Sequence, residues 1–365
     1  MYLKSVKLRD FRNIEKEAVS FSPEVNLLYG KNAEGKTNLL EAIYYFARGK
    51  SFRGATDREL CRFGGSAFEI EARFFGGDRE QTLLYRYAGR DRARLRNGAP
   101  VDHASDMIGH FRAVLFHPEH LSLVKGSPAL RREFLNIAIA QARPSYLSLY
   151  ANYTKILENR NSLLRFAAKG LPFDEEEFAV WSERLAEAAA LVAAERYRYL
   201  AALAPEAELL LSEISSGRER LVLSYECEAE GDEATMAARY RTLLSSDIRR
   251  EIGAGFTVFG PHHDDIKIEI GGHPAREFAS QGQQRSITLA MKLGEGEVSK
   301  RISGEYPVFL FDDVMSELDA ERRSFLLGAL KGRQIIVTAC DERDFTGASV
   351  NLIKTEGGHY EALFQ

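Results

Sequence analysis

The chain has 365 residues, enough for one large domain or two ordinary ones. At 45% hydrophobic and 28% charged it matches a soluble globular protein, and no apolar run approaches the roughly 20 residues of a membrane span. The formal net charge of −4 gives no global sign of nucleic-acid binding, so that role needs local basic clusters. Three widely spaced cysteines exclude a disulfide framework, and the charged opening "MYLKSVKLRDFRN" argues against export. We therefore expect a cytoplasmic protein.

Along the chain, an α/β pattern gives way to a helical one and then returns. Strand-like segments alternate with turns over the first 90 residues. From about Pro128 to Asp247, apolar residues recur three and four apart, which predicts helices, and Pro205 is expected to stop or kink the last of them. The pattern predicts an α/β domain built from residues 1–127 and 250–365, with a helical insertion lobe over 128–249.

A glycine-rich loop, "GKNAEGKT", follows a predicted buried strand, Val25 to Tyr29, and precedes an amphipathic helix. It matches G-x-x-x-x-G-K-[ST], whose glycines let backbone N–H groups surround phosphates at a helix N-terminus. Lys36 would then reach the β- and γ-phosphates, and the Thr37 hydroxyl would bind Mg²⁺. The predicted nucleotide-binding residues of this phosphate loop are Gly30, Lys31, Asn32, Ala33, Glu34, Gly35, Lys36, Thr37 and Asn38.

Two adjacent carboxylates end the apolar strand in "YPVFLFDDVMSELD". Where the chain turns at a strand end, both can reach a metal–phosphate site. Asp312 is predicted to hold Mg²⁺ through water, and Asp313 to polarise the attacking water, which makes Asp313 and Lys36 the predicted catalytic residues. The alternative is an ordinary strand-end turn, where Asp is common.

A third motif, "SQGQQ", stands immediately before a predicted helix. Its Ser, Gly and Gln residues suit a second anion cradle made of a hydroxyl and backbone N–H groups. An ordinary helix N-cap has the same composition, so both interpretations stay open on the residues alone.

These three motifs, in this order and split by a helical insertion, resemble the ABC-type ATPase heads of the SMC-like proteins. The closer resemblance is to the RecF family of bacterial recombinational repair. It covers nearly the whole chain, through "LRDFRN", "LYGKNAEGKTNLLEAIYYFARGKSFR", "LSLVKGSPALRREFLN", "NRNSLL", "FGPHHDD", "SQGQQRS" and "DDVMSELD".

The resemblance implies roles by position. A signature motif would touch the γ-phosphate bound by a partner subunit; its residues are Ser280, Gln281, Gly282, Gln283 and Gln284. A D-loop would cross the dimer interface; its residues are Ser316, Glu317, Leu318 and Asp319. Two N-terminal residues, Arg12 and Asn13, would line the nucleotide.

The same resemblance implies a function. ATP with Mg²⁺ would join two copies head to tail on double-stranded DNA near single-strand gaps, and slow hydrolysis would release them. The protein would act with RecO and RecR to place RecA, and no membrane would be involved.

The chain departs from the family pattern at a few positions. His120 and His263 replace the Asp and Arg that are usual in RecF-like sequences. No switch His follows the last core strand, where "IIVTACDERD" offers Thr338 and Cys340; this predicts slow turnover. His117, His120, His262 and His263 match no common metal-ligand spacing.

Two local basic clusters could neutralise DNA phosphates without reading bases. The first, "FARGKSFRG", contains Arg48, Lys50 and Arg53. The second, "AGRDRARLRNG", resembles a hairpin tip that ends in the turn dipeptide Asn97-Gly98, and a solvated turn is the alternative. The predicted DNA-binding residues are Arg48, Lys50, Arg53, Arg90, Arg92, Arg94 and Arg96.

Two other classes of protein share a phosphate loop. One is the ATPase subunit of a transporter, against which the helical insertion without a membrane-coupling motif argues. The other is a small-molecule kinase, which would need neither a signature motif nor dimerisation.

Overall fold

The computed structural model describes residues 1–172, 174–315, 318–341 and 350–363. Its strands are β1 (Tyr2–Phe11), β2 (Ile14–Ser20), β3 (Val25–Tyr29), β4 (Ala67–Gly76), β5 (Arg79–Ala88), β6 (Asp91–Arg96), β7 (Ala99–Pro100), β8 (Ala113–Phe116), β9 (Leu221–Glu226), β10 (Asp265–Ile270), β11 (His273–Pro274), β12 (Val308–Phe311), β13 (Ile335–Ala339), β14 (Val350–Glu356) and β15 (His359–Leu363). Its helices are α1 (Lys36–Arg48), α2 (Asp57–Leu60), α3 (Ser122–Lys125), α4 (Pro128–Ala142), α5 (Ser145–Ala168), α6 (Glu175–Ile214), α7 (Glu233–Ser246), α8 (Ile248–Ala254), α9 (Ala275–Phe278), α10 (Gln281–Ser303) and α11 (Ala320–Ala329), with 3₁₀ turns at Ala104–Met107 and Pro118–Leu121.

A central sheet joins the two ends of the chain. Its strand order is β15-β14-β3-β13-β12-β8, and every pairing is parallel except that of β14 with β15. The strands β3, β13, β12 and β8 are apolar and buried, as expected where both faces of a parallel sheet are covered. Parallel pairing brings the carboxyl ends of these strands to one edge, which is where the site residues lie.

Successive residues of the central strands face two different cores. Leu28 and Leu310 belong to the core that contains α1, whereas Leu27 and Phe309 belong to the core of the helical side. On the first side, α1 is packed between the central sheet and an antiparallel second sheet, β2-β1-β4-β5-β6-β7. This burial on nearly all sides fixes the helix that follows the phosphate loop.

On the other face, α4, α6 and α10 share one core with the central sheet, and α6 packs on α10. Helix α6 runs through Pro205, so the proline does not stop the helix, and a kink there stays a prediction. Proline removes one backbone hydrogen bond, but Leu203 and Ala207 on either side of it are fully buried. They lie against Gly294 of α10, where an added Cβ would stand 3.0 Å from Leu203 Cδ1. Tertiary packing therefore holds the helix through the proline.

The segment predicted to be helical also contains a strand. β9 pairs antiparallel with β10, with Leu223 opposite Ile268, in the sheet β11-β10-β9. Buried and exposed residues alternate at the start of β9, but the strand has only 6 residues, too few for its pattern to stand out beside the long helices. The division of the chain at 127 and 249 stays a prediction.

Within the part of the chain that the structure describes, no helix combines the length and the apolarity needed to cross a bilayer.

Close packing of α10 on β12 gives a stability prediction. A Cβ added at Gly296 would stand 2.4 Å from Cζ of Phe309, whose rigid ring is fully buried. We expect Gly296→Ala to destabilise the fold by about 1–3 kcal/mol through overpacking, measured as a lower urea midpoint. Gly328→Ala, in α11 with nothing within 4 Å of the added atom, is the matched control. It should stabilise by about 0.5–1 kcal/mol; equal loss in both variants would contradict the packing explanation.

Candidate nucleotide site

The phosphate loop is held closed by the hairpin of β14 and β15. Gly30 has φ 156°, and a Cβ there would stand 2.2 Å from the carbonyl oxygen of Thr355, so only glycine fits. Tyr360 Oη donates to the carbonyl oxygen of Gly35 at 2.8 Å, and Gly358 N–H donates to that of Glu34 at 2.8 Å. No signal in the sequence identified this hairpin as a partner of the loop.

Lys36 lies inside the curve of the loop. Its side chain is buried, and Nζ donates to the carbonyl oxygens of Gly30 at 2.5 Å and Lys31 at 2.9 Å. Ala33 takes a left-handed φ of 69°, a conformation that turns successive N–H groups toward a common centre. The loop thus presents an ammonium group and backbone donors in one concave surface, which suits phosphate.

Thr37 and Asp312 meet across the edge of the central sheet. The Thr37 hydroxyl donates to Asp312 Oδ1 at 2.8 Å, although 275 positions separate the two residues. Burial raises the pKa of Asp312, and the hydrogen bond from Thr37 opposes that effect. A hydroxyl and a carboxylate are hard oxygen ligands of the kind that Mg²⁺ prefers. These two side chains therefore fit the predicted metal role.

Thr338, at the end of β13, connects the paired carboxylates. Its hydroxyl oxygen accepts from Asp313 N–H at 2.8 Å and lies 3.2 Å from Asp312 Oδ1 and 3.3 Å from Asp313 Oδ1. The single hydroxyl proton can be donated to only one carboxylate at a time. Asp313 has a left-handed φ of 53°, so its backbone turns sharply out of the strand. Thr338 is one of the two residues, with Cys340, that the sequence offers in place of a switch His, and its hydroxyl contacts both carboxylates.

A cavity of about 420 Å³ opens over the loop, within the size range of small-ligand sites. Arg53 contributes to its wall and donates to Asn38 Oδ1 at 3.1 Å, so this residue of the first predicted DNA cluster lies beside the phosphate loop. The lining consists of Asn32, Ala33, Gly35, Lys36, Thr37, Asn38, Arg53 and Asp313.

The two N-terminal residues that were predicted to line the nucleotide have different partners. Asn13 Oδ1 accepts from Asn38 Nδ2 at 2.8 Å and so touches the loop helix. Arg12 donates from Nε and Nη2 to the two oxygens of Glu41, at 2.8 and 2.7 Å. Glu41 is fully buried in α1 and also accepts from the Ser51 hydroxyl. Sequence reasoning missed Glu41, because a Glu within an amphipathic helix looks like a solvated residue.

Ser280 caps α10. Its Oγ accepts from Gln283 N–H at 3.2 Å, and its N–H donates to Gln283 Oε1 at 2.8 Å, which is a capping box. Gln284 is buried and donates to the Ala279 carbonyl oxygen at 2.7 Å, whereas Ser280 and Gln281 are exposed. Among the residues that line the phosphate-loop cavity, none belongs to this motif. The predicted signature and phosphate loop of one chain therefore do not share a cavity.

Half of the predicted D-loop, Ser316 and Glu317, lies outside the described residues. Leu318 is buried, and Asp319 caps α11 by accepting from Arg322 N–H at 2.9 Å. Arg322 Nε donates to Ser286 Oγ at 2.8 Å, which ties α11 to the first turns of α10.

The histidines form two pairs. The rings of His117 and His120 are 3.9 Å apart and those of His262 and His263 are 4.2 Å apart. Burial lowers the pKa of His117 and of His262 to about 4, so both are neutral at physiological pH. Over the described ranges, no group of three or more His, Cys, Asp or Glu residues is arranged to hold a metal ion.

The second basic cluster lies on β6 and its hairpin. Asn97 and Gly98, with φ 51° and 81°, form the two-residue turn into β7, as the sequence predicted. Along β6, Arg92 donates to Asp57 Oδ2 at 2.8 Å and Arg96 Nη1 lies 2.5 Å from His110 Nε2. Arg94 donates to the Asp102 carbonyl oxygen at 3.4 Å, a long contact. Part of this cluster's hydrogen-bonding capacity is therefore used within the protein.

The fold and the site together define an ABC-type ATPase head. The family model described as RecF/RecN/SMC N terminal domain matches residues 2–359. An SMC head domain from Pyrococcus furiosus superposes with a TM-score of 0.57 over 99% of this chain and 96% of that one; at 18% identity it shows the fold alone.

More similar proteins narrow the class. "DNA replication and repair protein RecF" of Chloroflexus aurantiacus is 39% identical, over 98% of this chain and 99% of its own. A solved structure of RecF-ATP, a recombination mediator protein in the RecFOR pathway, is 34% identical with a TM-score of 0.93, over 100% of this chain and 98% of that one. The chain belongs to the RecF family, as its motifs predicted. These similarities do not favour a transporter subunit or a small-molecule kinase.

The Arg12–Glu41 contact gives a prediction about the integrity of the site. Glu41→Ala leaves the Arg12 guanidinium and the Ser51 hydroxyl without their buried acceptor. We expect a loss of about 3 kcal/mol, since breaking a buried ion pair uncovers a desolvated charge; the urea midpoint measures it. Glu183→Ala, which removes the half-exposed partner of Arg241, should change the free energy of unfolding by less than about 1 kcal/mol. Similar losses in both variants would contradict a special role for Glu41.

Proposed function

We propose that the protein is an ATP-dependent DNA-binding protein of replication and recombinational repair. The observation that carries the proposal is the contact of Thr37 with Asp312 beside the enclosed Lys36, because it assembles phosphate and metal ligands at one sheet edge. The names of the relatives, which describe DNA replication and repair, support the biological setting.

In this proposal each residue at this edge of the central sheet has a separate role in ATP hydrolysis. Lys36 and the loop N–H groups bind the phosphates. Thr37 and Asp312 would hold Mg²⁺, which would supply positive charge to neutralise the phosphate oxygens. Asp313 orients the attacking water and accepts its proton, and Thr338 fixes the direction of that carboxylate. With Thr338 where a switch His would stand, water activation rests on one carboxylate and turnover is slow.

The proposed active form is a head-to-tail homodimer. No residue of Ser280–Gln284 lines the phosphate-loop cavity of its own chain, which supports a role for this motif at the nucleotide site of a second copy. The exposed Ser280 and Gln281 stand at the N-terminus of the 23-residue helix α10, which suits contact with a γ-phosphate. Leu318 and Asp319 would lie near the same interface.

The dimer would bind duplex DNA near single-strand gaps in the cytoplasm. There it would assist the loading of RecA together with RecO and RecR. ATP binding would close it on DNA, and hydrolysis would open it.

Lys36→Ala should abolish ATP binding, because it removes the buried ammonium group of the loop. Isothermal titration with ATP and Mg²⁺ measures the effect. Lys155→Ala, at an exposed position of α5, should bind as the unaltered protein does. Retention of full affinity by Lys36→Ala would refute the phosphate-loop assignment.

Mass in solution tests the composite site. Light scattering should show a doubled mass with a non-hydrolysable ATP analogue and Mg²⁺, and a monomer with ADP. Ser280→Arg should prevent doubling while leaving nucleotide binding intact, and Asp313→Asn should keep the dimer together in ATP itself. A monomer under every condition, with DNA added, would overturn the dimeric proposal.

A further inference from the structure

A second cavity, of about 510 Å³, lies between the end of α1 and the helices α4 and α5. We call it the α1–α4 cleft. It shares no lining residue with the phosphate-loop cavity.

The charges in this lining are unbalanced. Among the lining residues that the structure describes, three side chains carry positive charge (Arg48, Lys50 and Arg132) and one, Glu133, carries negative charge. Glu133 forms its ion pair with Arg48. Lys50 is exposed and has no hydrogen bond or ion pair within the described ranges. One full positive charge at the rim is therefore available to a ligand.

Arg132 differs from its neighbour Arg131 in the same "ALRR" motif. Arg131 makes a double hydrogen bond to the carboxylate of Asp265, at 2.6 and 2.7 Å, and so belongs to the core of the fold. Arg132 donates to a backbone oxygen, that of Asp264, at 2.8 Å. Its charge is not cancelled by a direct carboxylate partner among the described residues. The motif thus supplies one structural arginine and one that faces the cleft.

A further arginine reinforces the positive field from behind the wall. Arg196 is 1% exposed and donates to Asn136 Oδ1 at 3.1 Å and to the Pro261 carbonyl oxygen, with its guanidinium 5.8 Å from the centre of the Tyr150 ring. No ion pair of Arg196 with a carboxylate occurs within the described part of the chain. Burial lowers the pKa of Arg132, and the charge of Arg196 lowers it further, as expected for neighbouring like charges.

We propose that the α1–α4 cleft binds a backbone phosphate of DNA, with Lys50 and Arg132 as its direct ligands. The inference rests on the proposed DNA-binding function and assigns it a place. A phosphodiester matches a cleft with surplus cations and apolar walls from Ile108, Ile137 and Leu147, against which a sugar can pack. Glu133 weakens phosphate binding, because its ion pair neutralises the charge of Arg48. Since such contacts read no base, the site would position DNA rather than select its sequence.

Substitutions that remove either a positive or a negative charge from the cleft test the site. Fluorescence anisotropy would follow a short duplex binding to the full chain, with an ATP analogue and Mg²⁺, at several salt concentrations. Lys50→Gln and Arg132→Gln should weaken binding several-fold and lower the slope of log K against log salt by about 1 each. Glu133→Gln should tighten binding, because it frees Arg48. A merely structural role would not produce effects of opposite sign.

The matched control is Lys169→Gln, at the far end of α5, roughly 28 Å along the helix from Tyr150; it should change neither affinity nor slope. All variants should bind ATP normally, since the cleft is separate from the phosphate loop.

If the unaltered protein binds DNA and Lys50→Gln and Arg132→Gln bind equally well, the cleft assignment fails and the proposed function stands. If the unaltered protein binds no DNA, both fail. If the variants lose binding of the mononucleotide dAMP but not of DNA, the cleft takes a free nucleotide and the DNA assignment is overturned.

Discussion

The contact between the Thr37 hydroxyl and the Asp312 carboxylate depends on the order of strands in the central sheet. Residues 275 positions apart can approach to 2.8 Å because β3 and β12 are parallel and only β13 lies between them. That intervening strand supplies Thr338, whose hydroxyl reaches both carboxylates of the site. A different order or direction of these strands would disperse the same side chains over several edges. The sheet is thus the constraint from which the chemistry of the site follows.

Helix α1 connects the phosphate loop to the rest of the head through its contacts. It is packed between two sheets, and its buried Glu41 holds Arg12 at the turn between β1 and β2. At its start, Asn38 contacts Asn13 and Arg53, so both flanking segments meet the loop helix by hydrogen bonds. Independent movement of the antiparallel sheet and the loop would break the ion pair of Arg12 with the buried Glu41, and an unpaired buried carboxylate is costly.

The helical side of the molecule belongs to the same packed body as the ATPase sheet. Phe309 and Phe311 of β12 share a core with residues of α6 and α10, and Gly294 and Gly296 of α10 allow the close approach on either side. The α1–α4 cleft lies where this helical side meets the end of the loop helix. A ligand in the cleft would therefore touch elements that also frame the nucleotide site, although the two cavities have no lining residue in common.

The sequence by itself determined the family and the class of fold, and it predicted the residues of the site. The glycine–lysine–threonine spacing, the apolar strand that ends in paired carboxylates and the Ser–Gly–Gln helix start depend on neighbouring residues, so they can be read from one chain. The family resemblance and the Asn97-Gly98 turn were confirmed for the same reason. Contacts between distant residues were decided by tertiary structure alone. Four features depend on burial against remote partners, which no local pattern encodes. They are the hydrogen bond from Tyr360 to the loop, the pairing of Glu41 with Arg12, the strand β9 and the helix through Pro205.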